Sequence, residues 1–168
     1  MPGTGCIKNM CPLTKCYMFD CDENIGGEMS EGKGRCLCGA VKFTATNMSK
    51  DVDACHCGMC RRWGGGPLMV VSCGAEVTFE GEENITIYNS SDWAERGFCK
   101  KCGSHLFYRL KEVNEHQMVA GLFENQESFN FNLQVFIDRK PSFYSFANKT
   151  NEMTEAEVIE KYAPDKNT

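Results

Sequence analysis

From Arg35 onward, apolar and polar positions alternate in short runs separated by turn residues, the pattern of half-buried strands. Residues 41–45 (Val-Lys-Phe-Thr-Ala) alternate strictly, whereas residues 68–73 (Leu-Met-Val-Val-Ser-Cys) are mostly apolar and suit a buried strand. Residues 76–79 and 84–88 are strand-like and flank Gly81-Glu82-Glu83, whose turn chemistry predicts a hairpin. Residues 106–110, 117–120 and 133–137 complete the predicted strands. A helical period occurs near the end. Thr154 and Glu157 form a capping box, Val158 and Tyr162 share a face, and Pro164 closes the segment. The pattern predicts a mainly β domain with one short C-terminal helix.

The chain has 168 residues, enough for a single domain with one core. No apolar stretch is long enough to span a bilayer, and no basic start leads into an apolar block, so a cytoplasmic protein is expected, with no membrane partner. The twelve cysteines then favour metal or catalytic use over disulfides. Asn84-Ile85-Thr86 and Asn148-Lys149-Thr150 match the glycosylation pattern, but without export they read as chance. A net charge of −5 argues against a nucleic-acid partner.

Residues 1–28 differ from the rest. Cys6, Cys11, Cys16 and Cys21 recur every five residues, a spacing that matches neither a helix face nor a strand face. Residues 1–28 are therefore read as a flexible extension and 29–168 as the domain. An additional zinc-binding appendage is the competing reading.

Seven other cysteines fall into three groups: Cys36-Leu37-Cys38, Cys55-His56-Cys57-Gly58-Met59-Cys60, and Cys99-Lys100-Lys101-Cys102. The outer groups pair a C-x-C with a C-x-x-C. Two chelating turns of this kind supply four thiolates to one tetrahedral zinc, a closed structural arrangement. Gly39 and Gly103 follow the two half-sites and suit tight turns. The middle group offers three ligands. Catalytic zinc commonly keeps three protein ligands and an open position, so an open site is the favoured reading. A closed second site would need one more ligand, for which Cys73, His56 or His105 are the candidates, His56 being the weakest.

Arg35, Arg61, Arg62, Arg96, Lys100 and Lys101 cluster beside these groups in sequence. They either offset the negative charge of metal thiolates or receive an anionic substrate. Trp63 could wall a ligand site. For Gly64, Gly65 and Gly66 a tight turn into the strand at Leu68 is the simpler reading.

Three motifs carry a resemblance: Gly34-Arg35-Cys36-Leu37-Cys38-Gly39, Cys55 through Arg62, and Gly97-Phe98-Cys99-Lys100-Lys101-Cys102-Gly103. Together they resemble the glutathione-dependent formaldehyde-activating enzyme family, which includes the centromere protein V group. The resemblance covers roughly residues 33–163. It implies an Mss4-like fold of folded β-sheets and two zinc ions. Cys36, Cys38, Cys99 and Cys102 match its structural site, and Cys55, Cys57 and Cys60 its catalytic one. The implied activity is S-(hydroxymethyl)glutathione synthase, a carbon–sulfur lyase acting on a small thiol such as glutathione and an aldehyde. Arg61, Arg62 and Trp63 are then the candidate substrate-binding residues, and His56 or His105 could move the proton. Two other classes stay open: a zinc-ribbon binding module without chemistry, and a zinc–thiolate redox sensor.

Overall fold

The computed structural model describes residues 30–162. The proposed extension, with Cys6, Cys11, Cys16 and Cys21, and Pro164 lie outside the described residues.

The strands are β1 (Ser30–Arg35), β2 (Lys42–Met48), β3 (Asp51–Cys55), β4 (Leu68–Ser72), β5 (Val77–Glu80), β6 (Ile85–Asn89), β7 (Ala94–Cys99), β8 (His105–Leu110), β9 (Glu115–Val119), β10 (Asn130–Val135) and β11 (Asn151–Met153). The helices are α1 (Gly58–Gly64) and α2 (Glu155–Tyr162). A three-stranded sheet runs β1-β2-β5, and an eight-stranded sheet runs β11-β10-β3-β4-β9-β8-β7-β6. The mainly β fold with a C-terminal helix is as the hydrophobic pattern predicts. Thr154 N–H donates to Glu157 Oε2 at 2.7 Å and Glu157 N–H returns to Thr154 Oγ1 at 3.4 Å, the reciprocal capping box. No helix among the described residues is long and apolar enough to cross a membrane.

One expected pairing fails. Residues around 76–79 and 84–88 do not form a hairpin with each other: β5 pairs with β2, while β6 pairs with β7 in the other sheet. Gly81, at φ 77°, still makes the sharp turn its sequence promises. The chain uses that turn to change sheets. Turn chemistry specifies a reversal, not the partner, and Phe79 finds a buried neighbour in Phe43 across β2.

Strand alternation divides the large sheet into two faces. One face packs on the small sheet. Val52, Val71, Phe107 and Met118 from the large sheet meet Phe43 and Ala45 from β2 in the principal core. Phe123 packs edge-on against Phe43 with centroids 5.0 Å apart. The opposite face carries α1, which seats Cys60 against Leu68 and Val70 in a second, smaller cluster.

His116 sits on the principal-core face and is only 2% exposed. Its ring meets Phe107 edge-on at 5.2 Å, and neither ring nitrogen has a hydrogen-bond partner. Burial, then the nearby Arg109 charge, pushes its pKa down to about 4 from the ordinary 6.5. Between those values the unfolded chain binds more protons than the folded one. Stability is therefore full above about pH 6.5 and lost as pH falls toward 4, by about 3 kcal/mol from this group. His116→Phe should remove that part of the acid sensitivity, read as the difference between wild-type and variant urea midpoints at pH 7 and pH 5. An equal acid loss in both proteins would assign the sensitivity elsewhere.

Candidate metal centres and active site

The first centre joins the two sheets. Cys36 and Cys38 lie in the turn between β1 and β2, while Cys99 ends β7 and Cys102 lies in the turn that leads to β8. Both turns need left-handed glycines: Gly39 at φ 73° and Gly103 at φ 75°. Their N–H groups donate to the Cys36 and Cys99 carbonyls at 3.0 and 2.8 Å, which closes each chelating loop. The four sulfurs all lie within 4.8 Å of one another. Cys36 and Cys38 are 3.6 Å apart, Cys38 and Cys99 3.9 Å. A tetrahedron with Zn–S bonds of about 2.3 Å has edges of about 3.8 Å, so these spacings suit a shared metal and are far too long for disulfides. Val41 N–H points at Cys36 Sγ from 3.3 Å. Ser104, through its hydroxyl and then its backbone, holds Cys102 down at about 5. Such donors favour thiolates, and four thiolates close together need a cation.

The second centre forms on the α1 face of the large sheet. Cys55 ends β3, Cys57 caps α1, and Cys60 lies within it. Cys57 Sγ accepts the Cys60 N–H at 3.4 Å, doing for this short helix what a serine oxygen does at other N-termini. Gly65, at φ 77°, ends the helix by donating to the Arg61 carbonyl at 2.9 Å. The glycines after Trp63 thus serve a helix cap and the turn into β4. The three sulfurs lie within 4.8 Å of one another, and among the described residues no fourth His, Cys or carboxylate joins them. Hydrogen bonds from Cys55 and Cys60 pull Cys57 down to about 2. Contacts with Cys57 and Cys60, then burial, drive Cys55 up. Three thiols in this space compete for one charge, and a divalent cation would let all three ionise. The donor set therefore fits a metal held by three thiolates.

The alternative fourth ligands lie elsewhere. Cys73 is fully buried in the principal core, with its thiol directed at the Val71 carbonyl at 3.5 Å. His56 turns away from the sulfurs, as its position between two cysteines suggests. Its Nδ1 pairs with the Tyr144 hydroxyl at 2.7 Å and its Nε2 with Gln134 Oε1 at 3.0 Å. His105 stacks on Trp63, ring centroids 4.4 Å apart.

The candidate substrate residues separate. Arg61 uses its Nε to bind the His56 carbonyl at 2.9 Å, so it braces the cysteine loop. Arg62 is exposed on α1. Trp63 stacks with Tyr88, 6.1 Å between centroids, as well as with His105. In the sequence Arg96 is one of six basic residues beside the cysteine groups. It reaches the cluster from β7, its Nη2 3.5 Å from Cys60 Sγ. Strand alternation sets Arg96 and Phe98 on the α1 face and Gly97 and Cys99 on the other. That signal was readable only once β7 was known to be a strand.

Among the described residues, a mainly β fold carries one four-cysteine and one three-cysteine centre, two thiol clusters able to hold metal. The chain matches the glutathione-dependent formaldehyde-activating enzyme family over residues 31–139 and belongs to that family. A Schizosaccharomyces pombe protein named as an uncharacterized lyase is 40% identical over 132 residues, covering 78% of this chain and 96% of that protein. The crystal structure of a Rhodobacter sphaeroides protein aligns with a TM-score of 0.48 at 27% identity, over 55% of this chain and 88% of that one.

Proposed function

We propose that the protein is a zinc-dependent carbon–sulfur lyase that activates a small thiol, glutathione or a close relative, for reversible addition to formaldehyde or a related aldehyde. The observation that carries this reading is the second centre: three converging thiols, with no fourth ligand among the described residues, at the end of a sheet strand. Family membership supports the thiol and the aldehyde. The relative's name supports a lyase.

Cys36, Cys38, Cys99 and Cys102 would hold a structural zinc, and Cys55, Cys57 and Cys60 a catalytic one. When bound there, zinc supplies Lewis acidity and keeps a coordinating thiol deprotonated. The chain's own residues shape the rest. Arg61 fixes the loop through the His56 carbonyl, and Trp63 with His105 and Tyr88 forms an aromatic wall beside the cysteines. Arg62, exposed on α1, would meet a carboxylate of the incoming thiol. A reducing compartment such as the cytoplasm would keep all seven cysteines available.

The direct test is calorimetric titration of glutathione into the zinc-loaded protein, with S-(hydroxymethyl)glutathione formation followed by NMR. Protein carrying two zinc ions yet binding no small thiol would sink the reading and put a non-catalytic binding module in its place. Arg62→Ala should weaken glutathione several-fold while leaving cysteamine, which has no carboxylate, nearly unchanged. Equal losses for both thiols would reassign Arg62 to offsetting the charge of the thiolate cluster.

A further inference from the structure

Arg96 holds a buried donor with nothing to bind. The side chain is 2% exposed. Its guanidinium lies against two aromatic rings, 5.8 Å from the Trp63 centroid and 5.1 Å from that of Tyr108. These contacts fix the plane of the group. Nη2 is directed at Cys60 Sγ, which meets the need for a cation beside a thiolate. Nη1, on the same rigid fork, is buried and has no hydrogen-bond partner. Leaving such a donor unsatisfied is destabilising, more so for a charged group, and this one is held against the three-cysteine centre. The other nearby arginines differ. Arg61 is engaged by the His56 carbonyl, and Arg62 is exposed.

We propose that Arg96 Nη1 receives the oxygen of the carbonyl substrate, the atom on which negative charge develops as the thiol adds. The assignment rests on the thiol–aldehyde reading above. In that addition the thiol S–H bond breaks and a C–S bond forms. The carbonyl π pair moves onto oxygen, and that oxygen takes up the proton the thiol lost. No oxidant or reductant is required. Arg96 acts as a fixed hydrogen-bond donor. Gly65 and Gly66 follow Trp63, and a Cβ built at either would meet nothing within 4 Å, so the turn beside the tryptophan is uncrowded. The same nitrogen would hold the hydroxyl oxygen of the adduct in the reverse direction, when the C–S bond breaks.

The probe is formate, a one-carbon oxyanion, titrated into zinc-loaded wild-type protein labelled with 15N-arginine. The Arg96 guanidinium resonances are assigned by their loss in Arg96→Lys. The expected result is saturable movement of those resonances, with formate affinity at least roughly tenfold weaker in Arg96→Lys, which keeps the charge and loses the fork. Formate that leaves the Arg96 resonances in place overturns the proposal, and so does unchanged affinity in Arg96→Lys. If the lysine variant does not fold, each arginine is assigned by through-bond experiments on the wild type, whose titration then decides. Glutathione titrated into the same protein separates the two ideas. Thiol binding without a formate response removes Arg96 and leaves the thiol reading. A formate response without thiol binding removes the thiol reading, and the aldehyde identity of the oxygen with it.

Discussion

Cys99→Ser is expected to leave the domain unfolded or insoluble. Cys99 is completely buried at the end of β7, and its sulfur converges with those of Cys36, Cys38 and Cys102. These residues come from hairpins on different sheets, so a shared metal would fasten the small sheet to the large one. Leu37 N–H donates to Ser104 Oγ at 3.1 Å between the turns of the same two hairpins. Structural zinc contributes on the order of 10–16 kcal/mol in small domains, whereas whole domains are stable by about 5–15 kcal/mol. A serine hydroxyl is a poor zinc ligand at neutral pH, and the substitution would also leave three close thiolates without their cation. The checks are soluble yield, cooperativity of urea unfolding and zinc stoichiometry. A soluble Cys99→Ser protein that unfolds cooperatively would remove the structural role from this centre.

The cysteine centres were legible because their information is local. C-x-C, C-x-x-C and C-x-C-x-x-C each fit within one turn, and the glycine after each outer half-site announces the left-handed residue that turn requires. Strands β2 and β4 were legible for a similar reason: β2 buries Phe43 and Ala45 on the face its alternation marks, and β4 is an apolar run that buries Val71 on one face and Leu68 and Val70 on the other. Other elements depend on partners distant in sequence. In β1, Ser-Glu-Gly-Lys-Gly-Arg shows no apolar alternation, and its pairing with β2 makes it a strand. Gly34 fits there because an added Cβ would meet Phe43 at 2.4 Å and the Leu122 carbonyl at 2.5 Å. Strand β7 buries Glu95 and Arg96, so its charges hide it from a hydrophobic scan. The seven residues of α1 are too few to show a helical period, and a cysteine caps them. The site residues divide in the same way. The sulfurs are set by spacing, but Tyr144 and Gln134 reach His56 from 88 and 78 residues away, and nothing near His56 specifies them. Arg96 belongs to this second group, since its importance lies in a nitrogen left without a partner after folding.

Cys57→Ala should separate the two centres. The fold should stand, because the four-cysteine centre uses none of the same residues and the principal core lies on the other face of the large sheet. The local loss is the Cys60 N–H to Cys57 Sγ cap at the start of α1, worth about 1 kcal/mol by analogy with other N-caps. The effect on metal should be far larger. Cys55 and Cys60 would remain as two thiols with no third donor among the described residues, and two thiolates hold zinc poorly against water and competing thiols. Zinc content measured by mass spectrometry should fall by one equivalent relative to wild type. Calorimetric titration with glutathione should lose its heat, while the urea midpoint moves only slightly. Each measurement tests a different link. Retention of both zinc equivalents would place the second metal elsewhere. Collapse of the urea transition would mean that the three-cysteine centre is structural, and the open-site reading would fail with it. Loss of one zinc with glutathione binding intact would detach thiol recognition from the metal and move it to the arginines and the aromatic wall around Trp63.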